Sequence, residues 1–353
     1  MEQFKLSVLT PVHIGSGEET VQGEYLIKDT KYHKIDLRSL FGDPRFDRKQ
    51  FCKDLLNSAK SNEKENKPVS PYLGDIVPQD KHDLLKEHSS YELDLAWPPA
   101  FTNKSPIKDF IKTGLGVPYI PGSSIKGAVL SAMYWHFLKE SDRCKGYSRF
   151  DDFSKELFED MGGRSKFMPW LQVSDTATLT FDALAAIKCE RMSEKPTNIK
   201  GSYLALTGSG PRVSKRPSIP TFCEALKLGT SAEFSMKPQR LEMKTDEILN
   251  IVNAFYSNVL KEEKAWCERA GVDTTFYSEI DKKNVKMKLG WGSSALALSL
   301  WLLAKEIGME KEYEKNYSRP GRPPKNIFPK THFIATGVGG KQMPLGWVGI
   351  EKV

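Results

Sequence analysis

The chain of 353 residues lacks the features of secreted, disulfide-linked and membrane-spanning proteins. Its five cysteines are scattered and odd in number, with no C-x-x-C pair, which argues against a disulfide framework and a thiolate metal site. The longest apolar run, residues 295–304, is far shorter than the roughly 20 residues of a bilayer span. No apolar signal segment follows Met1. These absences predict a soluble cytoplasmic protein with reduced thiols and no membrane partner.

Motifs of common enzymes are also missing. There is no G-x-S-x-G nucleophile elbow. The glycine-rich residues 337–340 precede Lys341, but Ala335 stands where a Walker loop needs its earlier glycine, and Gln342 breaks G-x-G-x-x-G. The histidines and carboxylates show no spacing that assembles a metal site. The sequence therefore predicts no cofactor, no metal ion and no catalytic residue.

The charge of the chain favours an anionic partner. The formal net charge is +7 and the sequence pI is about 8.9, with a mean hydropathy of −0.46 and 39% hydrophobic residues. This composition is typical of a soluble globular protein that is long enough for two domains. The positive excess is mild, and a basic enzyme without a nucleic-acid partner shows the same balance.

One segment predicts an anion-binding helix start. Residues 118–129 are predicted to form a strand end, a tight turn and a helix. The first turn of this helix carries no acidic residue. Backbone N–H groups at Gly122, the hydroxyls of Ser123 and Ser124 and the ammonium of Lys126 would converge there, and a phosphate would complete the site. The alternative is that Ser123 or Ser124 only caps the helix and Lys126 points into water.

A similar unit occurs near the end of the chain. Residues 285–289 alternate as a strand, residues 290–294 form a Gly-Ser-Ser turn, and an apolar run follows. The repetition suggests two similar α+β domains in tandem, which we place at residues 1–170, with an insertion around 40–115, and residues 171–353. Two unrelated Gly-Ser turns remain an alternative, because strand-to-helix connections favour these residues.

Three loops are further candidates for contact with an anionic partner. Residues 188–220 are basic and lack an apolar period, so we interpret them as a long loop that grips a nucleic-acid strand or is only solvated. Glycine loops are predicted at residues 12–17 and from residue 337 to 348. His13 in the first of them is either a structural residue or a nucleotide contact. The candidates in the three loops are His13, Gly15, Ser16, Arg191, Arg212, Lys215, Arg216, Gly339, Gly340 and Lys341.

Four motifs in this order resemble the RAMP superfamily of CRISPR proteins. They are residues 9–17, 119–127, 171–176, and 328–331 followed by 344–347. The set is most similar to the family of fifth subunits of the Csm complex, the type III-A interference complex. The resemblance implies an α+β fold of two tandem ferredoxin-like, RRM-related domains with helical insertions.

The resemblance also implies a function. Proteins of this kind are non-catalytic end subunits that hold the 3′ part of the CRISPR RNA (crRNA) and aid its maturation. The implied partners are crRNA, target RNA and other Csm subunits, especially the repeating backbone subunit. The helix start at residues 122–126 would contact the RNA backbone, flanked by the two glycine loops, and Lys330 in the last motif is a further candidate.

A departure from the backbone subunit concerns cleavage. That subunit carries a target-cleaving Asp shortly after its glycine loop, whereas Gly23 stands at this position here and Glu24 is adjacent. We therefore expect no nuclease, with Glu24 open as a metal-assisted substitute. Two other functions stay open: a RAMP-type endoribonuclease that processes precursor crRNA with His13 as general base, and a scaffold that binds proteins through residues 40–100.

Overall fold

The structure is a computed structural model of the chain. It describes residues 1–64, 71–96, 105–140, 170–193, 204–205, 220–239, 243–308, 310, 331–336 and 342–353. Groups of strands and groups of helices follow one another along these residues, which confirms the predicted α+β class.

The strands and helices are numbered in chain order. The strands are β1 (Glu2–Val8), β2 (Gly15–Thr20), β3 (Tyr25–Lys28), β4 (Lys31–Ile35), β5 (Ser89–Leu95), β6 (Ile107–Phe110), β7 (Leu171–Val173), β8 (Leu184–Ser193), β9 (Leu204–Ala205), β10 (Thr221–Leu226), β11 (Ser231–Pro238), β12 (Val285–Lys288), β13 (Thr331–Thr336), β14 (Gln342–Pro344) and β15 (Trp347–Lys352). The helices are α1 (Leu37–Gly42), α2 (Arg48–Lys64), α3 (Leu73–Ile76), α4 (His82–Glu87), α5 (Gly122–Glu140), α6 (Thr245–Ala270), α7 (Tyr277–Asp281), α8 (Ser294–Leu298) and α9 (Trp301–Glu306).

A five-stranded antiparallel sheet forms the first layer, in the order β12-β15-β1-β11-β7. Phe4, Leu6 and Val8 of β1 are buried and alternate with more exposed residues, as the predicted period of two requires. Helices α5 and α6 pack beside the sheet, and the Tyr256 hydroxyl of α6 donates to the Ala128 carbonyl of α5 at 3.1 Å. The apolar side chains of both helices and both sheets share one core cluster.

Helix α6 begins and ends where its sequence indicates. The Glu247 carboxylate accepts a hydrogen bond from the backbone N–H of Lys244 at 2.7 Å, which satisfies a donor at the helix start. Gly271 ends the helix in the left-handed conformation, with φ of 72°. Both ends of the helix are therefore set by residues that are its neighbours in the sequence.

The second sheet is mixed, with the strand path β2-β6-β10-β8-β5-β4-β3 and with β9 and β13 also paired to β8. Helices α1 to α4 follow β4 and precede β5, where an insertion is predicted. In a second apolar cluster, Leu40, Phe51 and Leu85 of these helices pack together with Leu26 of β3 and Ile35 of β4. The insertion is thus anchored on the β3–β4 hairpin.

Strand pairing in both sheets crosses residue 170. Strand β1 pairs with β11 and β15, and β6 pairs with β10. The division into residues 1–170 and 171–353 stays a prediction.

Three segments differ from their sequence-based interpretation. Residues 188–193, predicted as the start of a basic loop, belong to β8, because β10, β13 and β9 supply pairing partners for that strand. The run 295–304, which is continuous in the sequence, is divided between two short helices, since Ser299 between them is extended. Lys286 and Lys288 of β12 are buried, although their alternation with apolar residues predicts a solvated face.

Lys288 is buried because it pairs with Glu263 of α6, and both side chains are fully enclosed. The Glu263 carboxylate also accepts hydrogen bonds from the Trp347 indole N–H at 2.6 Å and from the Tyr277 hydroxyl at 2.8 Å. Burial alone would raise the pKa of Glu263, but Lys288, His332 and these hydrogen bonds outweigh it and hold that pKa below its ordinary value. The pair joins α6, β12 and β15.

We expect Lys288→Met to lower the free energy of unfolding by about 3–5 kcal/mol, because it leaves the Glu263 charge buried without its partner. Urea denaturation followed by circular dichroism measures this. The double variant Glu263→Gln with Lys288→Met should lose less free energy of unfolding than the two single variants lose when their losses are added. Lys282→Met is the control, since Lys282 and its partner Glu279 are 69% and 70% exposed. Equal losses from the two lysine variants would contradict a structural role for the buried pair.

Candidate nucleic-acid interface

The start of α5 already has a carboxylate bound to it. The Gly122 N–H donates to the Asp175 Oδ1 at 2.7 Å, so the motif at residues 171–176 meets the motif at residues 119–127. The sequence interpretation leaves this helix start without an anion and assigns Asp175 no contact with it. The structure corrects both points, because Asp175 reaches the helix from 53 positions away.

Only glycine fits at position 122, because the backbone of residues 173–174 lies close against it. A Cβ atom at Gly122 would lie 2.5 Å from the carbonyl oxygens of both Val173 and Ser174, closer than any side chain tolerates. Thr176 fixes the same segment from the other side: its hydroxyl accepts the Ile120 N–H, and its own N–H donates to the Ile120 carbonyl, each at 3.0 Å. The turn before α5 is therefore held by the 171–176 segment.

Polar side chains remain on the outer side of this turn. Ser123 is exposed, and Ser124 and Lys126 are partly exposed. Partial burial lowers the pKa of Lys126 from its ordinary value, and an anion nearby would offset that effect. An incoming phosphate would therefore meet two hydroxyls and an ammonium group beside a helix start that Asp175 already neutralises in part.

The first glycine loop meets two other motifs at one junction. The Pro11 carbonyl accepts the Gly346 N–H at 2.9 Å, and the His13 carbonyl accepts the Trp291 N–H at 2.8 Å. Gly290 has φ of 75°, and a Cβ atom there would overlap the His13 carbonyl. The sequence motifs at residues 9–17, 290–294 and 344–347 thus form one structural unit.

His13 lies inside this junction, with 1% of its surface exposed. Its Nδ1 donates to the Glu224 carbonyl at 2.6 Å, which assigns the proton of the neutral ring to Nδ1. Burial lowers the pKa of His13 to about 4. His13 is therefore neutral at pH 7 and a weak base, and this geometry favours the structural interpretation over a general base.

Gly15 and Ser16 lie on the exposed edge strand β2. The Ser16 hydroxyl accepts the Glu18 N–H at 3.1 Å and donates to the Asp109 carbonyl at 3.4 Å. Arg191 is partly buried on β8. The remaining candidates lie outside the described residues; they are Arg212, Lys215, Arg216, Lys330, Gly339, Gly340 and Lys341.

A buried carboxylate that sequence reasoning missed supports this region. Glu224 of β10 is fully enclosed and accepts hydrogen bonds from the Tyr91 hydroxyl at 2.5 Å, the Lys112 ammonium at 2.6 Å and the Phe110 N–H at 2.8 Å. Its backbone carbonyl accepts the hydrogen bond from Nδ1 of His13. A glutamate within the apolar strand sequence of residues 221–226 was the available signal.

The described ranges contain neither a cluster of metal ligands nor a helix that could span a membrane. Within them, no group of three or more His, Cys, Asp or Glu side chains could hold a metal ion. In the same ranges, no helix combines the length and the apolar character that crossing a bilayer requires. The cytoplasmic location stays a prediction.

The chain belongs to the RAMP superfamily, whose family model matches residues 5–286. Within that class it is similar to proteins named CRISPR system Cms protein Csm5. It is 23% identical to the one from Methanocaldococcus jannaschii over 369 aligned positions, which cover 98% of this chain and 81% of the relative. It is 26% identical to the one from Mycobacterium tuberculosis over 253 positions, which cover 65% of this chain and 64% of the relative. The resemblance predicted from the motifs is confirmed.

Two solved structures have a similar fold. One is a chain of the cryo-EM structure of a Csm–crRNA–target RNA ternary complex of a type III-A CRISPR-Cas system, with a TM-score of 0.69 and 23% identity over 99% of this chain and 100% of that chain. The other is the crystal structure of T. onnurineus Csm5, with a TM-score of 0.63 and 21% identity over 98% and 99% of the two chains.

Two glycines of α5 allow a matched test of the contact between the motifs. Gly122→Ala should lower the free energy of unfolding by roughly 1–3 kcal/mol, because the new methyl group displaces residues 173–175. Gly127→Ala should raise it by roughly 0.5–1 kcal/mol, since nothing lies within 4 Å of a Cβ atom there. Thermal denaturation compares the two. A Gly122→Ala variant as stable as Gly127→Ala would contradict the packing of this turn.

His13 makes stability depend on pH. Its pKa is about 4 in the folded chain against an ordinary 6.5, so the unfolded chain binds more protons between these values. The contribution of His13 to the free energy of unfolding should be fully present above about pH 6.5. It should fall by roughly 3 kcal/mol as the pH approaches 4. In His13→Gln this fall should be smaller but not absent, because burial also lowers the pKa of His332 to about 4. An unchanged slope of unfolding free energy against pH in His13→Gln would contradict a buried neutral His13.

Proposed function

We propose that this protein is a non-catalytic, crRNA-binding end subunit of a type III-A Csm complex, which holds the 3′ part of the crRNA and aids its maturation. The observation that carries the proposal is the likeness in fold, over 99% of the chain, to a chain of a Csm–crRNA–target RNA complex. The proposed partners are crRNA, target RNA and other Csm subunits, especially the repeating backbone subunit. Similarity to proteins named Csm5 supports this assignment.

We further infer a ferredoxin-like module in the five-stranded sheet. Four of its strands follow the order β15-β1-β11-β7, with β1 and β7 parallel to one another and joined through α5, and β11 and β15 parallel and joined through α6. This is a β-α-β-β-α-β arrangement in which the first strand lies between the third and the fourth. Strand β12 extends it beyond β15.

The proposed RNA contacts are those candidates that remain at the surface. At the helix start these are the side chains of Ser123, Ser124 and Lys126, and on β2 they are Gly15 and Ser16. His13 then acts as a positioning residue, because it is buried between the loop and Glu224. Contacts of this kind go to phosphate and sugar, so binding should depend on salt more than on sequence.

We propose that the protein itself cuts no RNA. His13 is a weak and enclosed base, and Gly23 stands where the backbone subunit of such complexes carries its cleaving Asp. The Glu24 side chain accepts the Val21 N–H at 3.4 Å at a turn of the chain. Maturation would then depend on binding and protecting the RNA end, with cleavage supplied by another protein.

Lys126→Glu should weaken binding of a short single-stranded RNA about tenfold or more, since it replaces a cation at the helix start by an anion. The slope of log affinity against log salt should become shallower by about 0.7, the share of one phosphate contact. Fluorescence anisotropy with a labelled repeat-derived RNA, at several salt concentrations, measures both quantities.

The matched control is Lys282→Glu, which makes the same charge change at an exposed position of the short segment after α7. It should alter the affinity far less and leave the unfolding midpoint unchanged. If Lys126→Glu and Lys282→Glu behave alike, the helix start does not bind RNA. If the wild-type chain and its assembled complex retain no RNA at all, the proposed function is wrong.

A further inference from the structure

Two aromatic rings lie together at the surface beside the glycine junction. Trp291, in the loop after β12, and Phe333, on β13, have ring centroids 4.3 Å apart and planes inclined by 42°. Both side chains are partly exposed. Part of the large apolar surface of these two side chains is left exposed, which raises the question of what covers it.

The rings are held in place from below. They pack on a cluster of small buried side chains, among them Ala185, Cys189 and Ala335. The Trp291 backbone is fixed by its hydrogen bond to His13, whose ring also meets Trp291 edge-on at 5.8 Å and 89°. The rings are therefore held in position by the fold and would lose little freedom on binding a ligand.

A cationic residue shares this face. Arg191 of β8 lies directly opposite Phe333 of β13 in the antiparallel register. Residues that face one another in such a pair project to the same side of the sheet. The face thus combines aromatic surface with a guanidinium group, and neither Arg191 nor the rings are used by the helix-start contact proposed above.

We propose that Trp291 and Phe333 form a stacking platform for unpaired bases of a single-stranded RNA, and that Arg191 binds the phosphate next to them. The inference rests on the proposed RNA-binding function and adds a base-contacting site to it. Aromatic rings accept any base through its face, and a cation beside them suits a polyanion better than an apolar protein surface. The platform would favour single strands over duplexes, in which the bases are already stacked.

Photo-crosslinking of the wild-type full-length chain tests the platform directly. The probe is a repeat-derived RNA that carries 4-thiouridine at successive positions, and mass spectrometry of the digested adduct identifies the crosslinked residue. Crosslinks to Trp291 or Phe333 are expected from one or two adjacent positions of the RNA. Crosslinks confined to other peptides would overturn the proposal, and this result needs no variant to fold.

Binding measurements give the second test. Trp291→Leu should weaken the affinity for the RNA about 5- to 100-fold, the range of one stacked base, without changing its salt slope. The same variant should bind an RNA with abasic residues at the crosslinked positions as well as wild type does. Phe333→Tyr keeps the ring and should bind like wild type.

The control pair is Tyr91 and Phe181, whose rings stack at 4.2 Å and 11°. Tyr91 already carries the Lys112 ammonium 4.9 Å from its ring centre, so this pair has a partner of its own. Phe181→Leu should leave RNA affinity unchanged. If Trp291→Leu and Phe181→Leu bind RNA with equal affinity while Lys126→Glu binds it more weakly than wild type, the platform is refuted and the proposed function stands. If wild type binds no RNA, the proposed function fails first.

Discussion

The buried ion pair between Glu263 and Lys288 is the constraint on which the C-terminal part of the structure depends. Two charges that leave water together need each other and further hydrogen bonds, and Trp347 and Tyr277 supply these to the carboxylate. The geometry is satisfied only when α6, β12 and β15 take one relative position. The ion pair therefore fixes the register of the strands that lead into the glycine junction.

The candidate surface follows from that register. Strand β12 leads into Gly290 and Trp291, and β15 is entered through Gly346, so both turns stand where the His13 loop can bond to them. Each turn has a positive φ and a backbone approach that excludes a side chain. The motifs at residues 9–17, 290–294 and 344–347 resemble ligand-binding loops in the sequence. In the structure they hold one another by backbone hydrogen bonds and position Trp291 and strand β2 at the surface.

Local elements could be predicted from the sequence, whereas long-range partners could not. The alternation of β1, the hairpin of β3 and β4 and the apolar period of α6 are properties of neighbouring residues, so each can be recognised within the sequence of the element itself. Lys288 alternates like a solvated residue, and only the distant Glu263 makes its burial favourable. Asp175 has no sequence neighbour that relates it to Gly122. Residues 188–193 lack an apolar period because this end of β8 is defined by its pairing with β10, β13 and β9 rather than by one buried face.

The carboxylate at the start of α5 would also allow RNA to bind and leave without a change in the fold. Because Asp175 satisfies the Gly122 N–H within the chain, the turn is complete without a ligand. A phosphate would then meet the side chains of Ser123, Ser124 and Lys126 without displacing the hydrogen bond between Gly122 and Asp175. A helix start that relied on RNA for its first hydrogen bond would leave a buried donor unpaired whenever the RNA departed. Internal capping by Asp175 thus separates the stability of the fold from occupancy of the surface beside it.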